Sequence, residues 1–198
     1  MTVSSVPLHI AVLTVSDSRT LAEDSSGELL RTRLLAHGHH AADRRLVADD
    51  IYAIRAQVSH WIADEKIQAV LITGGTGFSG RDSTPEAVRV LLDKTVDGFG
   101  ELFRALSLEE IGTSTLQSRC LAGLANGTLV VCLPGSTNAC RLAWDRILVE
   151  QLNAAHRPCN FVPHLKGGKH ACDSRDNKRE TNNAETHAGG THHVADAH

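Results

Sequence analysis

The chain has 198 residues, 41% of them hydrophobic and 22% charged, with a mean hydropathy of −0.15. That profile fits one globular domain with room for an appendage, and it excludes two full-sized domains or a wholly disordered chain. Twenty lysines and arginines against 23 acids leave a formal charge of −3, so nucleic acid and membrane surfaces are not expected as partners and any phosphate binding must be local. Residues 1–15 lack a basic flank and a cleavage-like small-residue site, and no run approaches the roughly 18 apolar residues of a membrane span, so the expected location is cytoplasmic.

Residues 8–15 (LHIAVLTV) open the chain as a short strand, followed by strands at 42–47, 68–73 and 128–133. All four are near-continuous apolar runs rich in β-branched residues, the pattern of strands covered on both faces. Between them lie amphipathic stretches. Ile51, Ile54, Val58, Trp61 and Ile62 fall on one helical face, as do Phe99, Leu102, Phe103 and Leu106, and later Leu142, Ala143, Ile147 and Leu148. Asn126-Gly127 between two apolar runs signals a hairpin, so one antiparallel pair interrupts the parallel order. The expected architecture is a three-layer α/β/α sandwich with a mixed, mostly parallel sheet over residues 1–164. From 165 to 198 there is no aromatic residue, and five basic residues balance five acids; such a segment is expected to be a disordered tail, its His187, His192, His193 and His198 serving at most adventitious metal binding. Five cysteines without a C-x-x-C pair read as buried thiols rather than a disulfide framework or zinc site.

In open α/β sheets, ligands bind where strands end and helices begin, because free amides and helix dipoles converge there. Three junctions carry unusual residues. After the third strand comes Thr73-Gly74-Gly75-Thr76-Gly77-Phe78-Ser79-Gly80-Arg81-Asp82-Ser83-Thr84-Pro85-Glu86, a glycine loop suited to cradle phosphate oxygens, with Thr73 and Thr76 as hydroxyl donors. A Ser83…Glu86 capping box and Pro85 mark the helix start that follows. Arg81 can neutralise a phosphate and Asp82 can hold Mg²⁺ through oxygen. Asp49-Asp50 closes the second strand at the same sheet edge; one of the two is expected to N-cap the next helix and the other to face the ion. Pro134-Gly135-Ser136 repeats the strand, turn and helix-start pattern and would form the facing wall. No G-x-x-x-x-G-K-[ST], G-x-S-x-G or H-E-x-x-H occurs. Gly75–Gly80 satisfies G-x-G-x-x-G literally, but it follows the third strand and five residues separate it from the helix, so it is a coincidental match to the dinucleotide fingerprint.

The string LITGGTGFSGRDSTPEA resembles the signature of the MoaB/Mog family of molybdenum-cofactor biosynthesis proteins, and VDGFGELFRALSLEEIGTSTLQSR and VCLPGSTNACRLAW resemble its MoaB branch. The resemblance runs from about Val6 to His164. It implies Mg²⁺- and ATP-dependent adenylylation of molybdopterin with release of pyrophosphate, in a homotrimer or a hexamer built from trimers, beside other molybdenum-cofactor biosynthesis proteins. Residue by residue, it implies essential acids at Asp49 and Asp82, a glycine loop at Gly74, Gly75 and Gly77, a pterin-facing pair at Ser118 and Arg119, and a second loop at Pro134, Gly135 and Ser136. Thr137 stands where Mog-type enzymes carry a second proline. Two other classes compete: a non-catalytic molybdopterin-binding or scaffolding protein, which would lack Mg-dependent ATP affinity, and a nucleotide-dependent oxidoreductase, which would carry a nicotinamide or flavin.

Overall fold

The computed structural model describes residues 6–168. Six strands form one sheet in the order β2-β1-β3-β6-β5-β4. Strands β1 (His9–Val15), β2 (His40–Val47), β3 (Ala69–Thr73) and β6 (Thr128–Leu133) run parallel. β5 (Leu121–Ala125) pairs antiparallel with β6 through the Asn126-Gly127 turn, and the two-residue β4 (Lys94–Thr95) adds to its outer side. The mixed sheet and the hairpin therefore match the expectation from sequence. β4 had no signal at all, since two exposed residues carry no periodicity.

Each central strand divides its side chains between two cores. Leu8, Ile10, Val12, Leu71, Leu129 and Val131 pack with α1 (Ser25–Ala36), α4 (Asp97–Ile111) and α5 (Thr137–Ala143). Ala11, Leu13, Val70, Ile72 and Val130 pack with α2 (Ile51–Ala63) and α3 (Thr84–Arg89). Period-2 alternation of uniformly apolar residues is what a doubly covered sheet requires. The edge strand β2 departs from that expectation. None of its residues is fully buried, and it carries Asp43, Arg44 and Arg45, because it has a neighbour on one side only. On α4, Phe99 and Phe103 are buried as expected, whereas Leu102 is 47% exposed and lies outside the core.

The boundary expected at residue 164 falls inside the packed chain. Leu165 is buried against the α1/α4/α5 core, Lys166 Nζ donates to the Ile62 and Asp64 carbonyls at 2.6 and 2.8 Å, and the compact unit closes at Gly168. A composition change locates where apolar residues stop recurring, not where the last one docks. The remainder of the expected tail, with Cys172 and the histidines His187, His192, His193 and His198, lies outside the described residues. Of the other cysteines, Cys120, Cys132 and Cys140 are buried, and burial pushes their thiols up, to about 11 for Cys120 and Cys140. Cys159 is exposed.

Candidate functional site

The parallel strands β1, β2, β3 and β6 deliver four loops to one edge of the sheet: 16–24, 48–50, 74–83 and 134–136. The glycine loop is built by close approach. A Cβ on Gly74, at φ +100°, would lie 2.2 Å from the Val15 carbonyl oxygen, and one on Gly75, at φ +62°, would meet Thr84 Oγ1 at 2.3 Å and Asp49 Oδ1 at 2.5 Å. Both positions therefore admit only glycine, for space and for backbone conformation together. The second loop packs on the first as expected: a Cβ on Gly135 would stand 3.2 Å from the Gly74 Cα. Between them opens a cleft of about 310 Å³ walled by Thr73, Gly74, Gly135, Ser136 and the 16–24 loop residues Ser16, Ser18 and Arg19.

Asp50 caps α2, accepting the Tyr52 and Ala53 amides at 3.0 and 2.8 Å. Asp49 is thereby the carboxylate left for the site. Its Oδ1 is buried with no hydrogen-bond partner among the described residues, and so is Thr84 Oγ1 opposite it above Gly75. Burial pushes the Asp49 carboxyl above its ordinary value, and the negative charges of Asp17 and Asp82 push it further; Arg81 opposes them. Asp82 takes the Ser79 amide at 2.9 Å, and hydrogen bonds from Ser79 hold it below the usual carboxylate range. The two aspartates thus stand over two glycines of one loop, Asp49 at Gly75 and Asp82 at Gly77, close enough that the charge of one raises the other. Among the described residues no set of three metal-ligating side chains forms. Two carboxylates and a hydroxyl still make a hard-oxygen donor set of the kind that Mg²⁺ shares with substrate phosphates and water, and an unsatisfied buried carboxylate oxygen is the feature such a cation would satisfy.

Several expected roles change. Thr73 is fully buried and its hydroxyl donates to the Pro134 carbonyl at 3.0 Å, so it ties the two loops together rather than offering a donor to a ligand. Thr76 is buried as well. The Gly74 amide donates to the Leu133 carbonyl at 3.1 Å and is taken; the Gly75 and Thr76 amides have no acceptor among the described residues. Ser136 caps α5 by accepting the Ala139 amide at 3.2 Å. The capping box does not form: Ser83 occupies the cap position without a side-chain bond, and Glu86 is drawn into an ion pair with Arg119.

Arg119, expected to face a pterin, grips the glycine loop. Its guanidinium donates to the Thr76 carbonyl and to the Asp82 carbonyl, each at 3.0 Å, and sits over the Phe78 ring at 5.3 Å. With Ser118, Arg89 and Arg104 it also lines a second cleft of about 420 Å³, walled in part by Pro85 and Glu86 just after that loop. Arg81 forms a two-point ion pair with Asp17, whose Oδ1 also accepts the Asp49 amide at 3.0 Å. The 16–24 loop and Thr84 were missed by sequence reasoning. A usable signal existed for the loop: Ser16-Asp17-Ser18-Arg19 directly follows the first strand, where the same strand-end rule applies.

Comparison with known proteins bears on this geometry. The family model described as "Probable molybdopterin binding domain" matches residues 11–154. The Escherichia coli K12 protein named molybdenum cofactor biosynthesis protein B is 57% identical over 161 residues, 81% of this chain and 95% of that protein. A crystal structure of a molybdenum cofactor biosynthesis protein B superposes with a TM-score of 0.73 at 40% identity, over 75% of this chain and 93% of that one. The tungsten cofactor synthesizing protein MoaB from Pyrococcus furiosus superposes with a TM-score of 0.64 at 34% identity, over 74% and 94% of the two chains.

Proposed function

The chain belongs to the MoaB/Mog family of molybdenum-cofactor biosynthesis proteins, and from that membership we propose that it transfers the adenylyl group of Mg-ATP to molybdopterin. Its role lies in molybdenum-cofactor biosynthesis; the reaction is our reading of the site. The observation that carries the reading is Asp49 Oδ1, a carboxylate oxygen withdrawn from water, unpartnered, facing the unpartnered Thr84 hydroxyl and within reach of the charge of Asp82.

In this reading a terminal phosphate oxygen of molybdopterin attacks the α-phosphorus of ATP. The bond from that phosphorus to the β-phosphate bridging oxygen breaks, and pyrophosphate leaves. The attacking oxygen is already anionic, so positioning and charge neutralisation dominate over proton transfer. Asp49 and Asp82 would hold Mg²⁺, which would supply charge neutralisation on the triphosphate. The free Gly75 and Thr76 amides receive phosphate oxygens, and Arg81 screens the charge that develops on the leaving group. Arg119 acts one step back, fixing the loop through the Thr76 and Asp82 carbonyls. Ser118 and the arginines of the 420 Å³ cleft offer hydroxyl and cationic groups to the pterin and its phosphate.

Self-association as a trimer or hexamer belongs to the same reading. It is supported by Leu102, Leu108, Ile111 and Leu116, which stand 47–77% exposed along α4 and the turn after it. Among the described residues no helix is long and apolar enough to cross a membrane.

The test is Asp82→Asn. Fold and molybdopterin affinity should persist while adenylyl-molybdopterin formation falls by about 100-fold or more, the typical effect of losing one preorganised charge contact. Formation at the unsubstituted rate would remove Asp82 from the chemistry. Molybdopterin binding without any Mg-dependent ATP affinity in the unsubstituted chain would favour the non-catalytic binding protein instead.

A further inference from the structure

Arg81 is the cation the proposed chemistry directs at phosphate, yet in this structure it faces a carboxylate. Asp17 Oδ2 accepts Arg81 Nε at 2.6 Å and Asp17 Oδ1 accepts Arg81 Nη2 at 2.9 Å. The same Oδ1 accepts the backbone amide of Asp49 at 3.0 Å. One side chain from the loop after β1 therefore joins the loops after β2 and β3. Four carboxylates, Asp17, Asp49, Asp50 and Asp82, act on one another or on this single guanidinium. Arg81 has taken Asp17, leaving Asp49 Oδ1 unpartnered.

The pair is placed to be exchanged. Its side chains are 64% and 40% exposed, and solvent-exposed ion pairs contribute little because water competes for both partners. A polyphosphate brings several anionic oxygens to the same guanidinium and is the stronger acceptor. Asp17 carries no contact to the glycine-loop amides, so losing Arg81 to a ligand leaves its hold on the Asp49 amide intact.

We propose that Asp17 is the resting counter-ion of Arg81, and that a polyphosphate displaces it. Asp17 is thus a positioning residue: it stores the guanidinium beside the Asp49 carboxylate, ready to turn to phosphate, and it fixes the backbone that carries Asp49. The inference rests on the adenylyl-transfer reading only for the kind of anion that arrives.

Calorimetric titration of inorganic pyrophosphate into the full chain without Mg²⁺ tests it. Asp17→Asn keeps an oxygen for the Asp49 amide and drops the charge. It should bind pyrophosphate about fivefold tighter than the unsubstituted chain, and the same substitution in an Arg81→Ala background should change affinity less than twofold. An equal gain in that background would reduce the effect to through-space repulsion and overturn the exchange. Unchanged or weaker binding by Asp17→Asn would overturn it too, as would no binding by either protein at millimolar pyrophosphate. A second readout needs no substitution at Asp17. The Arg81 Nε–H resonance, assigned by its loss in Arg81→Lys, should shift when pyrophosphate is added to the unsubstituted chain, and a stationary signal contradicts the exchange. Because neither measurement involves turnover, adenylyl transfer can fail while the exchange stands, and the exchange can fail while transfer proceeds.

Discussion

Asp24 and Asp49 lie beside the same edge of the sheet, and their surroundings treat them in opposite ways. Asp24, at the head of α1, has a side chain with no solvent exposure. It accepts the Thr14 hydroxyl at 2.7 Å, the Gly27 amide at 2.9 Å and Arg44 Nη2 at 2.8 Å. Burial pushes its carboxyl up, but these partners outweigh burial and hold it below the usual range. Asp49 has an oxygen withdrawn from water with no partner, and burial and like charges leave its carboxyl raised. A satisfied buried charge fixes a fold; an unsatisfied one raises the energy of the empty site, a cost that a ligand can relieve.

The largest effect expected from that contrast is at Asp24. Asp24→Ala leaves the Thr14 hydroxyl and the Gly27 amide without their acceptor, removes the α1 cap and reduces the ion pairing of Arg44 to Glu28 alone, and it should lower unfolding free energy by about 2–4 kcal/mol in denaturant titrations. The pH dependence has a definite sign. The folded-state value of Asp24 is depressed, so its stabilisation is present above the ordinary aspartate range and is lost as pH falls through the depressed value. Asp24→Asn should flatten that acid limb. Loss of little or no stability in Asp24→Ala would make the two aspartates equivalent and end the comparison.

Asp49→Asn should do the reverse. Adenylyl-molybdopterin formation is expected to fall by about 100-fold, roughly 3 kcal/mol of transition-state stabilisation, while the thermal midpoint at pH 7 stays level or rises. The sign follows from the raised carboxyl: the folded chain binds the proton more tightly than the unfolded chain, so stability declines as pH rises from the ordinary range through the raised value, and asparagine removes that decline. A lowered midpoint would show that the carboxylate supports the fold after all.

Arg119→Ala releases two carbonyls of the glycine loop. Limited proteolysis within residues 74–83 should accelerate, and global stability should drop by about 2 kcal/mol. Smaller still is Thr84→Val, which deletes a fully buried hydroxyl that has no partner. Stability should hold or improve slightly while Mg-dependent ATP affinity, read by calorimetry, weakens by less than about tenfold.

The sequence exposed the parts of this site that obey local rules. Strand ends followed by glycines located the 74–83 and 134–136 loops, and the Asp49-Asp50 doublet resolved into one cap and one carboxylate with an unpartnered oxygen because an N-cap has a fixed offset from the helix it starts. Contacts between distant segments were not legible. Arg81 and Asp17 lie 64 positions apart and Arg119 and Asp82 lie 37 apart, so nothing in either local string announces the pairing. The same holds for the glutamate of the expected Ser83…Glu86 box, whose partner lies 33 residues on, in Arg119. Leu165 was assigned to the tail because its neighbours are polar, although one leucine suffices to close a core edge.

The central claim is that Asp49 is a strained, unpartnered carboxylate until a cation arrives, and its own titration examines that most directly. In a carboxyl-detected NMR titration the Asp49 signal should titrate above the ordinary aspartate range in the free chain and fall below that range when Mg²⁺ and a non-hydrolysable ATP analogue are present. A carboxyl that titrates in the ordinary range and does not respond to Mg²⁺ and the nucleotide would contradict the account.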